Sequence, residues 1–143
     1  MTIRAGGNRH LWNTVKLLLP QIQQRLVLNI EDLKVYLVNG MLIRNHIFID
    51  FTEGGNSQAY IWMPIKTIWL DHDIADIERK WVLLHELHEY NKMQKGMSYE
   101  PAHASANIVE HQARINPGIT SHLFNIESRI YRNNNDIKSN NYR

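Results

Sequence analysis

Residues 81–110 read WVLLHELHEYNKMQKGMSYEPAHASANIVE, and this stretch decides the fold. An apolar run, Val82-Leu83-Leu84, leads into His85-Glu86-Leu87-His88-Glu89. Periodicity predicts a helix from about Ile74 to Lys95, ended by Gly96 in the left-handed conformation. Ser98 is placed to cap a second helix over about Tyr99–Ala113, with Pro101 in its first turn, where a missing N–H is harmless. The connection Gly96-Met97-Ser98 is short, so the two helices must pair antiparallel. Glu89 lies seven residues before Gly96 and His103 seven after it. With a rise of about 1.5 Å per residue, the two stand at matching heights. Residues four apart on a helix differ by about 40° in direction, so His85 shares the Glu89 face. Glu110 lies two turns beyond His103 on the same side.

Outward from this hairpin, Asp73 followed by Asp76 resembles a capping box for the first helix. Asn116-Pro117-Gly118 stops the second helix. Ser121 caps a last helix to about Arg132, and the Asn-rich tail 133–143 is expected to be disordered. Upstream, Leu33–Val38, then Asn39-Gly40, then Met41–Phe51 reads as a β-hairpin. Thr52–Ser57 reads as a loop. Ala59–Met63 and Thr67–Leu70 read as further extended runs around Pro64. At the start, residues 1–8 form a lead-in, and Asn8 is placed to cap a helix over His10–Leu19. Pro20 breaks or kinks that helix, and a second helical piece covers Gln21–Leu28. The reading is one α+β domain, residues 1–132. It has a small antiparallel sheet of three to four strands, an N-terminal helix and a C-terminal helical hairpin.

Composition narrows the chemistry. The chain has 143 residues, 43% of them hydrophobic, and no cysteine. That is globular composition, and it excludes disulfides and thiolate metal sites. No stretch approaches the ~20 apolar residues that span a bilayer, so a soluble protein is expected, cytoplasmic or in a phage virion. The net charge of +2 is too small to argue for nucleic acid. Arg4, Arg9, Lys16 and Arg25 are the only charged residues before Glu31, and a nucleic-acid role for this arm is the weakest reading. From Asp71 to Glu110 there are eight acids against four bases. Acids gathered where histidines gather favour a cation.

His85, Glu89 and His103 are therefore the leading metal ligands. Two His and one Glu with a position left open is the ligand set of a catalytic zinc site, although manganese or iron also suits it. Glu110 is a further ligand or an acceptor for a ligand imidazole. Glu86 stands beside the first His, where the general base of an HExxH peptidase stands. His88 lies on the stripe with Ile77, Trp81 and Leu84 and is expected to pack beside the site. Tyr99 is a candidate donor to an oxyanion. Trp62, Trp69, Trp81 and Tyr60 read as core. His10, His46, His72, His111 and His122 are assigned nothing. The same buried His and Glu groups also fit a hydrogen-bonded network with no metal, and that alternative stays open.

The run Val82-Leu83-Leu84-His85-Glu86-Leu87, with Glu89, Met93, Gly96-Met97-Ser98-Tyr99, Ala102-His103, Ala106 and Glu110, resembles a group of small prokaryotic and phage proteins. It is also similar to the minimal gluzincin-type zincin domains. The resemblance covers about residues 60–112. The motif is an HExxE variant, with Glu89 where the peptidases have their second His and His103 downstream. The resemblance implies a zincin-like fold and a zinc-dependent hydrolase acting on a peptide, a protein or another amide. An edge strand in the Ala59–Leu70 region would then align the substrate. The rival expectation is a non-catalytic phage or accessory protein that holds the metal as a structural clip.

Overall fold

The computed structural model describes residues 9–141; the expected lead-in at 1–8, with its Asn8 cap, lies outside them. Helix α1 (Arg9–Ile22) places Val15 and Ile22 in the core. It runs through Pro20 and ends two residues later. The expected helix over Gln21–Leu28 is instead an edge strand, β1 (Gln23–Ile30). Glu31, at a φ of 52°, and Asp32 turn it back onto β2 (Leu33–Val38).

The Asn-Gly hairpin does not form. Asn39 is the N-cap of helix α2 (Gly40–His46), and its side chain accepts a hydrogen bond from the Leu42 N–H at 3.2 Å. The same Asn that favours a tight turn also caps helices, and here the cap wins. Gly40 is required by space, because a Cβ there would lie 2.1 Å from the Asp71 carboxylate. Within the expected loop 52–57 lies a short strand, β3 (Gly54–Asn56). Residues 59–63 form turns rather than a strand. Strand β4 (Thr67–Asp71) follows, buried along its whole length.

The sheet order is β1-β2-β4-β3. It is mixed rather than antiparallel, because β2 and β4 pair in parallel. Alternate residues of β4 enter different clusters. Ile68 and Leu70 pack with Val82, Leu87 and Tyr131, while Trp69 packs with Val15, Phe51 and Trp62. Period-two alternation thus buries both sheet faces, with α1 and α2 on one and the later helices on the other. β4 is interior, so the strand open at this edge of the sheet is β3, not the Ala59–Leu70 region.

Helix α3 (Asp76–Gln94) crosses the sheet. Its N-cap is Ala75, with no side-chain cap. Asp73 pairs with His72 instead, and Asp76 and Glu78 supply the first-turn acids that suit the helix dipole. Gly96, at φ 105°, ends the helix. Its N–H bonds the Met93 carbonyl and the Met97 N–H the Lys92 carbonyl, the paired bonds of a Schellman motif. Helix α4 (Tyr99–Ile115) returns antiparallel to α3, as the spacing requires. Ser98 occupies its N-cap position without a side-chain cap bond. After a 3-10 turn at Pro117–Ile119, α5 (Thr120–Asn141) packs on α3. It continues past Arg132, and Asn134 is buried against Gln94. No described helix is long and apolar enough to cross a membrane.

Candidate metal centre

Helix α3 is enclosed by the sheet, α4 and α5, so the run from Leu84 to Asn91 is buried, His85, Glu86, His88 and Glu89 included. Polar groups so placed need partners. The hairpin turn at Gly96 brings His103 of α4 over Glu89 of α3. His103 Nδ1 lies 2.8 Å from Glu89 Oε2, and His85 Nε2 lies 3.3 Å from the same oxygen. The two imidazole rings meet edge to face at 4.9 Å. One atom from each of His85, Glu89 and His103 can be chosen so that all lie within 4.8 Å of one another. Two ligands at about 2.0–2.1 Å from a tetrahedral zinc stand about 3.3 Å apart, close to the 2.8 and 3.3 Å that separate the two imidazole nitrogens from Glu89 Oε2.

Glu110 takes the other side of His85. Its Oε1 lies 2.9 Å from His85 Nδ1, off the ring N–H direction, so this is an ion pair without an aligned hydrogen bond. Glu110 thus meets the imidazole at Nδ1, while Nε2 faces Glu89, and it lies outside the group of three residues whose ligand atoms come within 4.8 Å of one another. Arg114 fixes Glu110 from the next turn at 2.8 Å, reaches Glu78 at 2.6 Å and lies over the Trp81 ring. That spacing of four was readable in the sequence. Trp81 is a half-buried platform for Arg114 rather than core.

Asn56 gives no such sequence signal, yet it joins the sheet to the site. It is fully buried at the end of β3. Its Nδ2 donates to Glu86 Oε1 at 2.9 Å and to Glu89 Oε1 at 3.0 Å. Its Oδ1 accepts the backbone N–H groups of Gln58 and Ala59, which fixes the orientation of the amide.

The charges follow from this geometry. Burial alone would lower the His85 pKa, but the carboxylates of Glu110 and Glu89 outweigh it and raise it to about 10. Burial raises Glu86, and the neighbouring Glu89 charge raises it further. Glu89 goes the other way, because the two imidazoles outweigh its burial. Tyr99 stacks on His103 at 5.2 Å, and burial together with Glu89 and Glu86 pushes its hydroxyl up to about 12. It stays a hydrogen-bond donor at neutral pH.

His85, Glu86, Glu89, Tyr99 and His103 open onto one cleft of about 510 Å³, whose far wall is formed by residues 52–54 and Tyr60. Tyr60, expected in the core, thus borders the cleft. His88 does not reach it. Its ring turns away to Glu127 Oε2 at 2.8 Å and Ser105 Oγ at 2.7 Å and hydrogen-bonds to none of the three candidate ligands. A second group, Asp71, His72 and Asp73, also comes within ligand distance, but Arg44 already neutralises Asp71 at 3.0 Å.

The fold and site define the molecule as an α+β protein with a possible His-Glu-His metal cluster. No protein-family model matches the chain, no curated protein is significantly similar to it, and no solved structure matches it.

Proposed function

We propose that the protein is a zincin-like, zinc-dependent hydrolase acting on a peptide or another amide. His85, Glu89 and His103 would hold the metal. The observation that carries this reading is the convergence of three ligand atoms from two helices at the wall of an open cleft, with a second buried acid, Glu86, beside them. A cation there supplies Lewis acidity toward water and the substrate carbonyl. Glu86, with its raised proton affinity, is suited to take the proton of the attacking water. The water oxygen bonds the carbonyl carbon, Glu86 passes the proton to the leaving nitrogen, and the C–N bond breaks to give acid and amine. Tyr99 would donate to the developing oxyanion. Glu110 orients His85 through Nδ1, which leaves Nε2 for the metal. The free edge of β3 would align an extended substrate.

Mass spectrometry of untagged protein tests this. About one equivalent of zinc, manganese or iron is expected in the wild type and less than a tenth in His85→Ala and His103→Ala. A metal-free wild type refutes the reading. With metal present, Glu86→Gln should retain it and lose hydrolysis of a casein or mixed-peptide substrate.

One observation favours a second reading. The 2.8 Å contact between His103 and Glu89 is already a hydrogen bond, so the cluster also closes as a polar network without a metal. The metal content separates the two.

A further inference from the structure

The cleft has a charge and surface character of its own. Besides Glu86, Glu89 and Glu110, its lining includes Asp50 and Glu53, and no Lys or Arg. Five carboxylates face one cleft, which stays net negative even with a dication at the ligands. Asp50 and Glu53 are solvent-exposed, and neither has a cationic partner within 4.0 Å among the described residues. Other acids on the chain are paired, as Asp32 is with Lys66 and Glu78 with Arg114.

The second observation is aromatic. Tyr60 borders the cleft beside these acids, between Phe48 at 5.3 Å and Trp62 at 5.1 Å. The chain makes room for that ring, because a Cβ on Gly55 would lie 2.9 Å from two of its carbons. Tyr99 stands in the same lining, stacked on His103. Carboxylates without cationic partners at the wall of a cleft recognise ammonium and guanidinium groups by charge and hydrogen bonding, and packed rings beside them hold that wall in place. An apolar side chain would have to desolvate the acids. An acidic one would meet repulsion.

We propose that the cleft selects an extended peptide carrying lysine or arginine next to the bond presented to the metal cluster. Asp50 and Glu53 bind the side-chain charge, at the stretch of cleft wall that Tyr60 also lines. This specificity rests on the hydrolase reading for its consequence, but it can be measured as binding.

The test uses metal-loaded protein carrying Glu86→Gln, so that bound peptide is not turned over. Three fluorescein-labelled alanine-based octapeptides serve as probes, carrying two lysines, two norleucines or two glutamates at the same positions. Fluorescence anisotropy at low salt should show the lysine peptide binding about tenfold tighter than the norleucine peptide, with the glutamate peptide weakest. Asp50→Asn combined with Glu53→Gln should bring lysine and norleucine within about twofold, and so should raising the salt to about 1 M, where charges are screened within ~3 Å. Equal binding of lysine and norleucine peptides overturns the proposal. So does a lysine preference that survives the double substitution, or no lysine-peptide binding at millimolar concentration. Metal content measured on the same samples keeps the two failures apart. Absent metal sinks the hydrolase reading, whereas peptide selectivity alone decides this one.

Discussion

Helix α3 carries two buried His–Glu groups three residues apart, and they are built to opposite ends. Away from the cleft, His88 has both ring nitrogens occupied, by Glu127 of α5 and Ser105 of α4. Glu127 has both oxygens occupied too, since Asn91 Nδ2 reaches Oε1 at 3.1 Å. None of these four residues borders the cleft. Toward the cleft, His85 Nδ1 lacks an aligned partner, three carboxylates crowd together, and solvent has access. The difference teaches how two polar groups on one helix come to differ. The first pairs its charges within the protein, with only Asn91 Oδ1 left over, whereas the second is held in place by neighbours and opens onto the cleft.

The largest expected effect tests the closed side. Glu127→Ala strands His88 and Asn91 in the interior and should cost about 3–4 kcal/mol of stability, read from the urea midpoint. Metal content per folded molecule should not change. A loss below about 1 kcal/mol would mean that the group ties nothing together.

His103→Ala tests the open side. His103 is more than a third exposed, so the metal-free variant should fold nearly as well as the wild type. Zinc at a hundred times its Kd should stabilise the wild type by about 2.7 kcal/mol and the variant not at all. Calorimetry with and without zinc reads both numbers.

Between these extremes lies Glu110→Gln. If Glu110 acts on a metal only through His85, its loss should weaken zinc affinity about 10- to 100-fold without abolishing it. Competition with a chromophoric chelator measures this, and complete loss of binding would instead make Glu110 a ligand.

The smallest effect comes from an acid in neither group. Asp32, at the β1–β2 turn, accepts from Lys66, Tyr131 and Asn135, and these bonds outweigh its burial and lower its pKa to about 2. A depressed carboxylate stabilises the fold above its unfolded value of 3.8, and that contribution fades as the pH falls through about 2. Its side chain is nearly half exposed, so Asp32→Asn should cost only about 1 kcal/mol at neutral pH. The gap should close in urea titrations repeated at about pH 2.

The α3–α4 hairpin was legible because local rules govern it. Gly96 had to take a positive φ, and helical pitch then set His85, Glu89 and His103 on facing sides. Glu110 was expected in the site, but its contacts with His85 Nδ1 and Arg114 depend on side-chain placement that spacing alone does not give. The central sheet was harder to read. The parallel pairing of β2 with β4 joins segments about thirty residues apart, and no local pattern encodes that register. Asn39 carried a true signal with two meanings, turn and cap, and the packing of α2 beside Asp71 chose between them. Asn56 was invisible because Glu-Gly-Gly-Asn-Ser has loop composition. Its glycines are there for space. A Cβ on Gly54 would lie 2.8 Å from the Trp69 carbonyl and 2.9 Å from Val82.

That tight seating gives Asn56 a mechanical part. One amide grips Glu86 and Glu89 with its two N–H bonds, while its oxygen is pinned to the chain just beyond β3. Sheet edge and carboxylates are geared together. Both acids therefore take their position from a single side chain, and replacing that amide would release the two of them from the sheet together.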